Sequence, residues 1–445
     1  MKYLTLLISL FTLLLLLVSC GQTAVSPTPE TAVVSQAETA VPQPTATEDP
    51  ATATPLPAPV MATAVPTDTP SGPTPTPTSV WINPTPTVDP SIPVAPPPPE
   101  GSVVQPPYAA SDCSDKYPCN EDVAAWEARI QVPPGFKVTY FARVDGQPTT
   151  MAFGPDELLY VAVQAGTIYR LNKDGVPGAY VGGYTTPTGI AFHPITGELY
   201  VASRAVEENI NGESVISIVN KGRIIEGLPC CYTFYHAANG IAFGPDGYGY
   251  VGVGGRADHG EILGTNEQDE LHPYEAAILR FNDDGSEIEV YARGIRNPYD
   301  IAWDGNGDLW ATDNAPDFGP PEELHRLVPG AEHGYPWYDC EVCFQPPPGV
   351  EVLPPDYTFV AHASPTGITA YTSGVFPGYY NTMFVTLWSA FPGAQSVVAV
   401  TPNGDQYDFS LGYAAPVDII VGPDGNLYVA DWATGIIFQI SYIGE

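Results

Sequence analysis

One short phrase, returning six times between Phe136 and Ile440, limits what this chain can fold into more than any other feature. Each copy is an apolar residue, a Pro/Asp/Gly turn, and then a run of alternating or apolar strand residues. The clear copies are Phe153-Gly-Pro-Asp-Glu-Leu-Leu-Tyr-Val, Phe192-His-Pro-Ile-Thr-Gly-Glu-Leu-Tyr-Val, Phe243-Gly-Pro-Asp-Gly-Tyr-Gly-Tyr-Val, Trp303-Asp-Gly-Asn-Gly-Asp-Leu-Trp-Ala and Val421-Gly-Pro-Asp-Gly-Asn-Leu-Tyr-Val. A weaker one starts at Phe376. Successive starts lie 39 to 73 residues apart, which suits units of about four strands joined by unequal loops. Such a unit cannot bury both its faces alone, so the repeats must stack in a ring. The expectation is an all-β chain, a six-bladed β-propeller. A two-sheet sandwich has no reason to repeat one phrase. One helix is expected, Asn120 to Ile130, capped by Asn120 and packed outside the ring. The segments 204–235, 254–275 and 315–370 read as long insertions crowding one face, where a site belongs.

The propeller does not use the whole chain. Residues 21–107 carry 23 of the 51 prolines and no Lys or Arg, a composition that cannot offset its ordering entropy by burial. Before it, Lys2 precedes an apolar run from Leu4 to Val18, too short for a comfortable membrane span and suited to a signal peptide. The run ends in Leu17-Val18-Ser19-Cys20-Gly21, which resembles a bacterial lipoprotein cleavage box. The organisation expected is a signal peptide over 1–19, a lipidated Cys20 with a disordered Pro/Thr tether over 20–107, and the propeller over 108–445. That puts the protein outside the cytoplasm, anchored to the cell membrane. Six further cysteines then read as disulfides, with Cys113–Cys119 and Cys340–Cys343 as local pairs and Cys230 and Cys231 either bridged to each other or each paired elsewhere. Zinc is the competing reading for the CxxC at Cys340.

Charge narrows the partners. With 15 Lys+Arg against 50 Asp+Glu, the net charge of -35 repels phosphate backbones and argues against nucleic acid. It suits divalent cations and neutral sugars or alcohols.

Three stretches carry candidate chemistry. His236, just before the blade phrase at Phe243, is placed to serve as a base near neutral pH. Arg296-Asn297-Pro298 offers a guanidinium and an amide on a pinned backbone, suited to polarising a carbonyl. Glu322-Glu323, near possible carbonyl donors at Ala315 and Pro316, suggests oxygen ligands for Ca²⁺. His193, His259, His272, His325 and His362 show no paired spacing and read as loop or packing residues.

With the blade phrases, Gly-Ile-Arg296-Asn297-Pro298 and Pro-Gly-Ala-Glu-His333-Gly-Tyr-Pro-Trp337 bring out a resemblance. From about Pro133 to Ile440 the chain resembles the soluble glucose and sorbosone dehydrogenases, six-bladed propellers that use pyrroloquinoline quinone (PQQ). The resemblance implies oxidation of a sugar or related alcohol, with His236 as general base and Arg296 polarising the quinone beside Asn297. It also implies a Ca²⁺ held by the Ala315 and Pro316 carbonyls, by Glu322 or Glu323, and by the His333 carbonyl. The electron acceptor is left unspecified. It further implies Lys and Arg in the last two blades, facing the three quinone carboxylates. Yet Tyr371 to Val400 has no Lys or Arg, Gln439 stands where many relatives have Arg, and Tyr184 or a neighbour replaces a cofactor-contacting Gln. Two other functions stay open. One is a propeller that binds a glycan or protein without a cofactor, using Tyr335, Trp337, Tyr379, Tyr380, Trp388 and Phe391. The other is a metal-dependent hydrolase of lactones or esters.

Overall fold

The computed structural model describes residues 114–208, 211–232, 235–259, 271–317, 320–337 and 349–444. The expected signal peptide and tether, with Cys20, Cys113, Cys340 and Cys343, lie outside the described residues. Within them, six four-stranded antiparallel sheets form the ring. Blade 1 runs from Pro148 to Val181 (β2–β5), blade 2 from Thr185 to Cys230 (β6–β9) and blade 3 from Ala238 to Arg293 (β10–β13). Blade 4 spans Ile301–Phe359 (β14–β17) and blade 5 Pro365–Leu411 (β18–β21). Blade 6 takes β22–β24 (Pro416–Tyr442) and borrows β1 (Phe136–Arg143) from the start of the propeller. That pairing, from Phe136 with Tyr442 to Arg143 with Ile436, closes the ring with a strand from each end of the domain.

The repeated phrase is the hairpin between the first two strands of a blade, and its chemistry explains its wording. The Asp accepts from the backbone two residues on, at 3.2 Å for Asp156–Leu158, 3.2 Å for Asp246–Tyr248 and 3.1 Å for Asp424–Asn426. Its other oxygen takes the hydroxyl of the Tyr four residues later: Tyr160, Tyr250 and Tyr428. One side chain thus fastens both the turn and the following strand. The sixth copy sits differently from the expected register. Phe376 falls in the connection after β18 (Pro365–Tyr371), and Tyr371 occupies the strand-end position held elsewhere by Phe153 or Phe243. Phe376 stacks on Tyr371 at 4.6 Å instead.

One of the three expected insertions is not an insertion: the segment 204–235 contains β8 and β9. The segment 315–370 contains β16, β17 and most of β18, but 30 residues, 327–356, separate β16 from β17. Only 254–275 lies wholly in a connection, between β11 (Gly249–Val253) and β12 (Ala277–Phe281). The helix, α1, is shorter than expected, Val123–Arg129. Asp122, not Asn120, caps it by accepting from Ala125 N at 3.1 Å, and Ile130 is already extended. Trp126 plugs this helix onto β1 and the last blade, fully buried, with its ring 6.1 Å from that of Phe438. Among the described residues, no helix is long and apolar enough to cross a membrane.

A candidate ligand site at the tunnel end

All the blade hairpins turn at one end of the inner strands, so the starts of those strands gather at the other. His236 stands just before β10 (Ala238–Phe243), Arg296 and Asn297 before β14 (Ile301–Trp303), and Pro365 begins β18. These residues line one pocket with Tyr232, Tyr299, Glu322 and Trp388. The candidates His236, Arg296, Asn297, Ala315 and Glu322 are therefore brought together, although 86 residues separate the first from the last.

His236 is buried, and its Nδ1 lies 3.1 Å from the carbonyl oxygen of Gly255. A carbonyl only accepts, so in the neutral ring Nδ1 carries the hydrogen and Nε2 keeps its lone pair. Burial, then the nearby Arg296 charge, hold the imidazole well below its usual pKa of 6.5. The ring is thus an unprotonated acceptor at neutral pH. The backbone of Gly254 passes so close that a Cβ there would meet His236 Cα at 2.9 Å and Asn297 Oδ1 at 2.6 Å. Only glycine fits between them.

Arg296 and Asn297 are positioned by a single carboxylate. Asp313, at the end of β15 (Leu309–Asp313), accepts from Arg296 N and from Asn297 N, each at 2.8 Å. Asn239 Nδ2 then donates to Asn297 Oδ1 at 3.0 Å and to the Tyr235 carbonyl at 3.0 Å. The guanidinium is held as firmly. Its Nη2 meets Asp258 Oδ1 at 2.5 Å, Nε donates to the Asp258 carbonyl at 2.9 Å, and Nη1 to the Asn314 carbonyl at 2.6 Å. Tyr335 braces the Asp258 loop, its hydroxyl donating to the Ala257 carbonyl at 2.9 Å. Asp258 and Asn239 had no local signal in the sequence. Only folding brings the loop after β11 against the turn before β14.

The proposed oxygen ligands for Ca²⁺ are divided. Neighbouring residues on a strand face opposite ways, and β16 (Glu322–Arg326) separates its two glutamates accordingly. Glu322 faces the pocket, and its Oε2 accepts from Ala315 N at 2.9 Å and Asn314 Nδ2 at 3.0 Å. Burial raises its pKa to about 8, leaving it protonated at neutral pH. Glu323 turns instead to His325 Nε2, at 3.0 Å, with Asp313 on the far side at 4.0 Å. Asp313, Glu323 and His325 cluster within 4.8 Å, so His325 is more than the packing residue expected. The His333 ring packs against that of His325 at 5.0 Å, and neither His333 ring nitrogen has a partner. Pro316 is buried but does not line the pocket. Glu322 and Ala315 therefore share the pocket, while the Glu323 carboxylate faces His325.

Of the aromatic candidates, Trp388 alone lines the pocket, beside Tyr232, Tyr235 and Tyr299, which had not been singled out. Tyr379 packs in the blade core against Phe136, Tyr380 is exposed, and Phe391 packs on His362 at 5.1 Å. His362, expected as packing, also lines the pocket. Nearby, the side chains of Cys230 and Cys231 lie against each other, buried with Ala237.

Fold and site define a six-bladed propeller whose ligand cavity sits at the end of the central tunnel, walled by the turns that open its inner strands. The chain belongs to the glucose/sorbosone dehydrogenase family, whose model matches residues 146–438. A curated relative, quinoprotein glucose dehydrogenase B of Acinetobacter calcoaceticus, is 24% identical over 243 residues, 43% of this chain and 50% of the relative. The chain thus spans about half the length of that relative. Solved structures share the fold. The soluble aldose sugar dehydrogenase of Escherichia coli, in its apo form, aligns with a TM-score of 0.56 at 15% identity, covering 69% of this chain and 99% of that one. The PQQ-bound aldose sugar dehydrogenase of Streptomyces coelicolor aligns with a TM-score of 0.53 at 20% identity, covering 70% and 99%.

Proposed function

We propose that this protein works outside the cytoplasm, tethered to the membrane through lipidated Cys20, and acts on a sugar or related alcohol in the tunnel-end pocket. The observation that carries this is His236, a buried neutral imidazole whose Nδ1 is spent on the Gly255 carbonyl and whose Nε2 is left to accept. Oxidising an alcohol removes a proton from oxygen and a hydride from carbon, so it needs an electron acceptor as a second reactant. His236 Nε2 is placed to accept the proton of a bound hydroxyl. Trp388 and Tyr235 supply flat apolar surface for the face of a sugar ring. The family resemblance suggests PQQ as the hydride acceptor, but the one guanidinium in the pocket is already paired with Asp258 and does not suit that trianion, so the oxidation calls for a diffusible two-electron acceptor instead.

A second reading, recognition of a glycan without turnover, is favoured by one observation: Arg296 is already neutralised by Asp258. The two separate in one assay. Purified protein is offered a panel of aldoses and polyols with an artificial electron acceptor, with and without added PQQ and Ca²⁺, while binding is followed by tryptophan fluorescence. Turnover that His236→Ala abolishes supports the oxidising reading. Binding without turnover leaves recognition, and neither would overturn both.

A further inference from the structure

All of the chain's positive charge can be placed. It has 15 Lys and Arg, and Lys2 is the only one before Lys116. The stretches of the propeller outside the described residues, 209–210, 233–234, 260–270, 318–319 and 338–348, contain none. Every other basic residue is therefore accounted for, and of these Arg296 alone lines the tunnel-end pocket. Its charge is committed to Asp258, with 3% and 7% of the two side chains exposed. The next buried arginines are committed too, Arg204 to Glu207 and Arg256 to Glu275. The pocket's own acids, Glu322 and Asp317, add no positive charge. On the side facing blades 5 and 6 the lining is His362, Ser364, Pro365, Thr366, Trp388 and Val417, without Lys or Arg, and burial lowers the pKa of the His362 imidazole and so disfavours its charged form.

A ligand with three carboxylates would have to leave water and find three partners. None is free, and a buried carboxylate without a cation or a set of donors is disfavoured strongly. The same wall suits a neutral polyhydroxy ligand. Trp388 offers a ring face, and its Nε1 N–H, buried without a partner, suits a hydroxyl oxygen as acceptor.

We infer that this pocket selects uncharged polyhydroxy ligands and does not hold a tricarboxylate quinone, because its one guanidinium is already paired with Asp258 and the wall of Trp388, Thr366 and Val417 supplies no cation. The inference rests on the tunnel-end pocket being the ligand site, as in the function proposed above.

The test is calorimetric titration of PQQ, in the presence of Ca²⁺, into the full-length protein and two variants. Trp388→Lys and Ser364→Lys each put an ammonium into the wall, and Ser364 is only half-buried, so its variant folds if the bulkier change does not. Wild type is expected to show no saturable binding at high-micromolar PQQ. Either lysine variant should gain at least about tenfold in PQQ affinity, the equivalent of about 1.4 kcal/mol. Saturable wild-type binding at low micromolar PQQ overturns the inference and leaves the sugar site standing. Lysine variants that fold but gain nothing overturn the charge argument. The same preparations are titrated with glucose and gluconate, which differ by one carboxylate. Binding of glucose over gluconate supports the inference, and equal or reversed preference overturns it. Failure to bind any neutral sugar counts against the proposed substrate class alone and leaves PQQ exclusion to its own titration.

Discussion

The two halves of the tunnel-end pocket are built on opposite plans. On the side of blades 3 and 4, each polar group is fixed by another: Asp313 holds the Arg296 and Asn297 amides, Asp258 holds the guanidinium, and Gly255 holds His236. On the side of blades 5 and 6, the wall is Pro365, Trp388 and Val417, with polarity confined to hydroxyls such as the Thr366–Thr386 pair at 2.9 Å. The first half is preorganised at the cost of burying charge. The second buries apolar surface and leaves only shape and hydroxyls to choose a ligand. The contrast teaches that the two walls of one pocket can be built independently, one from fixed polar groups and the other from apolar surface.

Changes in the polar half should therefore cost most. His236→Ala should cut turnover of any oxidised sugar by about 10²–10⁴-fold, well beyond what the loss of its Gly255 hydrogen bond and its ring contact with Tyr232 does to the unfolding midpoint. Steady-state rates beside a thermal melt test this, and undiminished turnover removes His236 from the chemistry. Asp258→Ala should destabilise the fold by about 3–5 kcal/mol by stranding Arg296 in a buried site. Denaturant unfolding that shows under about 1 kcal/mol would mean the pair is well hydrated.

A pH profile sharpens the same contrast. Burial raises the folded pKa of Glu322 to about 8 and that of Asp313 to about 6, above their ordinary carboxylate values. The folded state then binds more protons than the unfolded one, so stability is greatest at mildly acid pH and falls as pH rises toward 8. His236, depressed, acts in the opposite sense: its contribution is lost as pH falls below about 6.5. Urea unfolding across this range should show a decline above about pH 6.5 that Glu322→Gln reduces by about 1–3 kcal/mol, and an unchanged slope would place Glu322 in contact with water. In the apolar half the effect should be smallest. Thr366→Val loses the bond to Thr386 and should cost about 1 kcal/mol, without altering the pH profile.

Much of the fold was legible because it repeats. An Asp that fastens both its turn and a Tyr four residues on leaves a local mark in three of the five clear copies of the phrase, and the repetition implies a ring. The phrase at Phe376 misled by five residues, because Tyr371 took the strand-end role and a longer turn followed. The insertion at 204–235 misled because strands of an ordinary blade were counted as loop. The helix start slipped from Asn120 to Asp122, since both can cap and only Asp122 meets an amide in register.

In the site, His236, Arg296 and Asn297 stood out by type and by their place at a blade's opening, and they meet in one pocket. Glu322 and Glu323 could not be told apart by composition, and strand alternation put them on different faces. Asp258, Asn239 and His362 carry no sequence signal, because their roles exist only where distant loops converge.

Taken alone, the sequence determined the number of blades, the shortage of positive charge and the residues able to move a proton, since repetition, composition and side-chain chemistry are local properties. Tertiary structure decided which carboxylate neutralises Arg296, which glutamate faces the ligand, and that the opposite wall is Trp388 and Val417. Those are matters of proximity, and proximity between residues far apart in the chain is set only when the ring closes.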